Sequence, residues 1–196
     1  RELARLIKRC GIKFDKLADE QFDQPLGIGT GAAVIFGATG GVMEAALRTA
    51  VKMITGSEAG DINFTDVRGV AGIKEASYKV GDLDVKVAVA SGTANAAELL
   101  KKVQNGEADY TFIEIMGCPG GCVNGGGQPQ VPASVRNFED IRAIRAKALY
   151  DQDAASEIRL SHENPAIKSI YEEYFEKPGS HKAHEILHTS YVKRGL

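Results

Sequence analysis

The chain has 196 residues, of which 43% are hydrophobic and 26% charged, and it carries a net charge of −2 at pH 7. That length suits one domain or two small ones with a real core. The charge balance argues against the basic face of a nucleic-acid-binding protein, and no apolar run approaches the roughly 20 residues needed to span a bilayer. Cys10, Cys118 and Cys122 are too few, and odd in number, for a disulfide-stapled secreted domain, so a reducing, cytoplasmic setting is expected. The opening "RELARLIKRC" shows no signal-peptide pattern. It begins in mid-helix without a methionine and reads as a piece of a longer chain.

In chain order, Leu3, Leu6, Ile7 and Cys10 recur at helical spacing, so a short amphipathic helix is expected with Gly11 ending it and Cys10 on its buried stripe. A glycine-rich loop follows, then a helix from about Gly41 to Ile54. "DINFTDVRG", "IKEASYKV" and "LDVKVAVA" read as strands, the last two joined by a tight hairpin at Gly81-Asp82. Asn95 and Glu98 form a capping-box pattern ahead of a helix whose stripe is Ala96, Leu99, Leu100 and Val103, closed at Gly106. "YTFIEIM" is a buried strand. The unit from Leu83 to Met116 is therefore strand, helix, strand, and its carboxyl edge is where ligands bind in open α/β sheets. Beyond Pro132 the chain is helical, with a stripe at Ile141, Ile144 and Ala148. A further helix begins at Asn164-Pro165 and carries Ile167, Ile170, Tyr171 and Tyr174.

Three motifs bear on chemistry. "FIEIMGCPGGCVNGGGQP" places Cys118 and Cys122 in a CxxxC pair among six glycines and two prolines. This is neither the CxxC of a redox dithiol nor a zinc knuckle. Turn-making alone explains the glycines but not the thiols. An iron–sulfur site explains both, because cluster sulfides are stabilised by backbone N–H groups that glycine-rich loops bring close. A cubane wants about four ligands, and this chain offers only these two and the Cys10 thiol, so a cluster here lies at a seam. "VIFGATGG" reads as strand, GxxGG turn and helix, a partial dinucleotide fingerprint that lacks its third glycine, since position 43 is Met43; Asp61 is the nearest ribose-binding acid. "HEILH", His184 to His188, matches a zinc-protease signature, with His181 and His162 able to serve as third ligands only by folding back.

Together these segments resemble the [FeFe]-hydrogenases. "EIMGCPGGCVNGGGQP" is similar to the third signature motif of their catalytic domain, and "TGAAVIFGATGGVMEAALRTA" to the glycine-rich segment before it. "LSHENPAIKSIYEEYFEKPGSHKAHEILHTSY" is similar to the family's C-terminal end, which makes the HEILH match coincidental. The family's "TSCCP"-like and "MPCxxK"-like motifs are absent and belong upstream of Arg1. The resemblance implies the C-terminal half of that catalytic domain: one α/β lobe over residues 1–196, with a small mixed sheet, flanking helices and a helical tail over about 137–196 that wraps the surface.

The resemblance also implies a site. Cys118 ligates a [4Fe-4S] cluster, and Cys122 does so while bridging to a two-iron unit bearing CO, cyanide and a dithiolate. Met116 and Phe36 line that unit, and Gly37, Gly40, Gly41, Gly120 and Gly121 form the cofactor-binding backbone. The implied activity is reversible H2 oxidation and proton reduction. The implied partners are the N-terminal half of the same domain and ferredoxin or NAD(P)-linked electron-transfer subunits, without nucleic acid or membrane. Alone, the chain is expected to lack the cofactors and to self-associate. An iron–sulfur assembly factor, a hydrogen sensor and, more remotely, a dinucleotide-binding domain are the alternatives; "FGATGGVMEAALR" with Met116 favours the enzyme.

Overall fold

The computed structural model describes residues 1–195 apart from 22, 24–27, 58 and 59; the front of the predicted glycine-rich loop lies outside the described residues. Helix α1 (Glu2–Arg9) is followed by α2 (Gly31–Val34) and α3 (Gly41–Thr55), then by strands β1 (Ile73–Val80) and β2 (Leu83–Ser91). Helix α4 (Thr93–Gln104) leads to β3 (Phe112–Met116), and α5 (Ala133–Arg136), α6 (Ile141–Ala155), α7 (Pro165–Ile170) and α8 (His181–Leu187) complete the chain. This is the mixed α/β architecture expected.

The sheet has the order β1-β2-β3. β1 and β2 are antiparallel and turn at Val80↔Leu83, where Gly81 has φ +59°. β2 and β3 are parallel, joined through α4. The central strand explains the layering. Val87 and Val89 pack with Met43, Leu47, Phe64 and Val67 on one face, and Ala88 and Ala90 pack with Ala96 and Leu99 on the other. A strand apolar on both faces is the signature of a sheet covered twice, here by α3 and α4.

A buried charge network holds α3 to α6. The Arg48 guanidinium donates from Nη1 and Nη2 to Asp153 Oδ1 and Oδ2 (2.9 and 2.8 Å) and from Nη2 to Glu44 Oε1 (2.8 Å). Arg159 Nη2 reaches the same Asp153 carboxylate at 2.6 Å, and Arg68 binds Glu44 through Nε and Nη2. Burial works against the Arg48 cation, yet the hydrogen bonds it donates to Asp153 and Glu44 leave its pKa above the ordinary value. The α6 segment is thus built into the body rather than laid over it. Gly31 of α2 makes this possible, because a Cβ there would stand 2.3 Å from Asp153 Oδ1.

Four local readings are corrected. "DINFTDVRG" is not a strand: Asp61 Oδ1 accepts from the Asn63 N–H and Nδ2, and residues Thr65–Val67 form a 3-10 turn, so side-chain bonds divert this backbone from a ladder. "VIFG" is helical, because Thr30 Oγ1 caps α2 by accepting from the Ala33 N–H and the chain continues into a 3-10 turn at Ile35–Gly37. That removes the strand a dinucleotide fingerprint needs. The capping box is not formed. Gly92, at φ +87°, starts α4 three residues earlier, and Asn95 Nδ2 donates to the Ser91 carbonyl instead. Finally, no residue of α1 is buried, Leu3 is 68% exposed, and Cys10 is exposed. The stripe that periodicity assigned to a core faces away from it.

Candidate metal centre

β3 delivers the chain to the carboxyl edge of the sheet, where the Met116 carbonyl accepts from the Gly92 N–H at 2.8 Å. The backbone then reverses over Cys118–Gly121, with the Gly121 N–H donating to the Cys118 carbonyl at 2.9 Å. Pro119 takes the first corner and Gly120, at φ +86°, the second. This is type II turn chemistry: proline presets one φ and glycine supplies the positive one. One 3-10 turn follows at Cys122–Asn124. Asn124 Nδ2 donates to the Pro119 carbonyl (3.0 Å) and Gln128 Nε2 to the Cys122 carbonyl (3.3 Å). From α6, Arg145 Nη1 and Nη2 donate to the carbonyls of Val123 and Pro129 (3.0 and 2.8 Å). The loop's carbonyls are held from beneath while both thiols remain exposed.

The glycine-rich turn ahead of α3 forms the neighbouring wall. The Thr39 N–H donates to the Gly120 carbonyl at 3.2 Å. A Cβ on Gly121 would stand 2.7 Å from both the Gly37 oxygen and the Thr39 nitrogen, so only glycine permits this approach. Phe36, 44% exposed, and half-buried Met116 border the same edge. The two glycine segments therefore converge, the backbone of Gly37–Thr39 lying against that of Gly120–Gly121.

The glycines themselves do different work from that expected. The Gly40 N–H donates to Glu114 Oε1, the Gly41 N–H to the Ala38 carbonyl and the Gly121 N–H to the Cys118 carbonyl. A Cβ on Gly41 would be 1.7 Å from the Ile35 oxygen, and one on Gly37 would be 2.7 Å from Leu149 Cδ1. These N–H groups are taken up within the protein, by the Glu114 carboxylate at Gly40 and by backbone carbonyls at Gly41 and Gly121, and all three glycines also permit close packing. Gly120 packs against the Arg142 side chain.

Glu114 and Lys74 are site residues that the sequence reading missed. Glu114 accepts from the Gly40 and Met43 N–H groups, both at 2.7 Å, at the amino end of α3, where a carboxylate complements the helix dipole. Lys74 Nζ donates to the Thr39 and Gly69 carbonyls, both at 3.0 Å. Burial lowers its pKa to about 8, with Glu114 acting in the opposite direction. Each is a buried charge in a strand whose other residues are mostly exposed or half-buried, so β3 is not the buried strand its apolar sequence suggests, and a buried charge requires a fixed partner.

Among the described residues, no group of three or more His, Cys, Asp or Glu side chains could hold a metal ion. In HEILH, α8 stops at Leu187 and His184 Nδ1 faces His188 Nδ1 at 3.0 Å. Two exposed thiols on one anchored loop fit half of the donor set a cubane requires.

Residues 1–126 match the family model described as iron only hydrogenase large subunit, C-terminal domain, and residues 139–194 match iron hydrogenase small subunit. The chain belongs to the iron-only hydrogenase family. It is 50% identical to the NADP-reducing hydrogenase subunit HndD of Solidesulfovibrio fructosivorans, over 99% of this chain and 32% of that protein. It is 48% identical to iron hydrogenase 1 of Clostridium pasteurianum, over 98% of this chain and 34% of that one. The fold of [FeFe]-hydrogenase HydA1 from Chlamydomonas reinhardtii superposes with a TM-score of 0.72 at 41% identity, covering this whole chain and 55% of that one. The chain thus spans about a third of the length of these curated relatives. Protein NAR1 of Arabidopsis thaliana is 30% identical over 97% of this chain and 40% of its own length. One relative, from Nitratidesulfovibrio vulgaris, is named a periplasmic [Fe] hydrogenase large subunit. Among the described residues, no helix is long and apolar enough to cross a membrane.

Proposed function

We propose that this chain supplies two cysteine ligands, Cys118 and Cys122, to the iron centre of a hydrogenase that interconverts H2 with protons and electrons. The observation that carries the reading is the anchored CPGGC turn, which presents two exposed thiols at the sheet edge with no third ligand gathered among the described residues. When bound, the [4Fe-4S] cluster and its two-iron unit supply the hydrogen chemistry and the electron path. The protein's part is to hold and insulate. Cys118 and Cys122 would hold the iron of the cluster, with Cys122 on the side of the two-iron unit. Phe36 and Met116 exclude water from the face beside it, and Arg145 and Thr39 fix the loop so that the thiols do not drift.

The remaining ligands come from another part of the protein, the N-terminal half of the catalytic domain, and electrons pass to ferredoxin or NAD(P)-linked subunits. In the complete protein, Cys122→Ala should abolish hydrogen turnover, as measured by gas evolution from a reduced dye. Wild-type turnover in that variant would rule out the role given to Cys122. A second reading, an iron–sulfur assembly factor, draws support from the similarity to NAR1. It requires a cluster without the two-iron unit, so infrared bands from bound CO and cyanide in the complete protein separate the two.

A further inference from the structure

The peptide unit joining Thr39 to Gly40 is gripped at both ends by buried charges. Its carbonyl oxygen, on Thr39, accepts from Lys74 Nζ at 3.0 Å, and its N–H, on Gly40, donates to Glu114 Oε1 at 2.7 Å. The ammonium meets the negative end of the peptide dipole and the carboxylate meets the positive end. Lys74 and Glu114 are 8% and 6% exposed, so neither charge is dissipated in water. They reach the same peptide because Lys74 pairs with Val89 and Val89 with Glu114, which places all three side chains on the α3 face of the sheet.

A peptide that precedes a glycine at φ +91° is the kind that can rotate at small steric cost, since glycine accepts either sign of φ. Here rotation would break two charged hydrogen bonds at once. The neighbouring N–H, on Thr39, donates to the Gly120 carbonyl between the two cysteines, at 3.2 Å. We infer that Lys74 and Glu114 are positioning residues that lock the Thr39–Gly40 peptide and, through Thr39, hold the Cys118–Cys122 turn in its ligand-presenting shape. This deepens the proposed function and rests on the reading of Cys118 and Cys122 as ligands.

The test is residue-resolved amide hydrogen exchange on the full chain without iron, comparing Lys74→Met, Lys74→Arg and Glu114→Gln with wild type. The Gly40 N–H is the critical reporter, because Lys74 does not touch it. Freeing the carbonyl end should accelerate exchange at Gly40 and Thr39 by about tenfold or more, the loss expected for one charge-assisted hydrogen bond. The β1–β2 ladder should exchange at its wild-type rate, and Lys74→Arg should restore most of the protection. Alkylation of Cys118 and Cys122, with exposed Cys10 as internal standard, should change in Lys74→Met. Unchanged exchange at Gly40, or acceleration spread evenly over the sheet, overturns the lock. If Lys74→Met does not fold, Glu114→Asp is compared with wild type at the Thr39 N–H, which Glu114 does not touch, and unchanged exchange there overturns the lock. Failure of the exchange test leaves the ligand roles standing. Conversely, a complete protein with the exchange pattern intact but no iron removes the hydrogenase reading and leaves the lock.

Discussion

The buried side of α3 and its amino end are built on opposite plans. Along its side, Glu44 and Arg48 join Asp153, Arg68 and Arg159 in a buried network in which each carboxylate meets two guanidinium groups. That region is complete within the chain. At its amino end, the Gly37–Gly41 turn meets the cysteine loop, and there the polar backbone is satisfied but the side chains that matter are exposed. An open groove of about 980 Å³ beside it is lined by Asn124, Pro129, Phe138 and Arg142, and Phe138 is 84% exposed. The contrast separates what stabilises a fold from what serves a site: charges pair where the chain closes on itself, and thiols and apolar rings remain uncovered where another surface is needed.

The largest effect belongs to the closed side of α3. Arg48→Met would leave Glu44 and Asp153 each short of a partner in the core and should cost about 3–5 kcal/mol in chemical denaturation. A loss below about 1 kcal/mol would mean the network is not what holds α6 to α3. The next test concerns Lys74, whose pKa in the folded chain, about 8, lies below its ordinary 10.5. Between those values the unfolded chain binds more protons, so stability rises with pH across the window, by up to about 3 kcal/mol. The penalty is full below pH 8 and gone above 10.5. The difference between the stability curves of wild type and Lys74→Met isolates this term from the tyrosines; a flat difference would contradict it. The smallest effect belongs to the open end. Met116→Leu nearly conserves volume and should cost less than about 1.5 kcal/mol, while lowering hydrogen turnover of the complete protein. A large drop in melting temperature would instead make Met116 a core residue.

The legible parts of the fold are those where local chemistry and tertiary context agree. The Gly81-Asp82 hairpin and the Asn164-Pro165 start of α7, where Asn164 Oδ1 accepts from Ala166 and Ile167, follow from turn and cap residues acting within a few positions, and the β2–α4–β3 unit follows from its apolar pattern although the start of α4 does not. Val34 and Ile35 favour strand, yet they are helical because Thr30 caps the turn and Gly31 and Gly37 pack it against α6. The stripe of α1 shows the limit of periodicity: it reveals an apolar face, not what that face meets. At the site, the cysteines were legible from their glycine and proline setting. Glu114 was not, because its partners, Gly40 and Met43, are more than 70 positions away and belong to another element.

The central claim, that this chain holds half of a cluster site, is tested most directly by iron and sulfide analysis of the isolated 196-residue chain with light-scattering sizing. Two thiolates cannot retain a cubane that wants about four ligands, and the uncovered apolar edge favours self-association. The isolated chain should contain essentially no iron and run as a species larger than a monomer. A monomer carrying about four irons per chain, the content of one complete cubane, would contradict it.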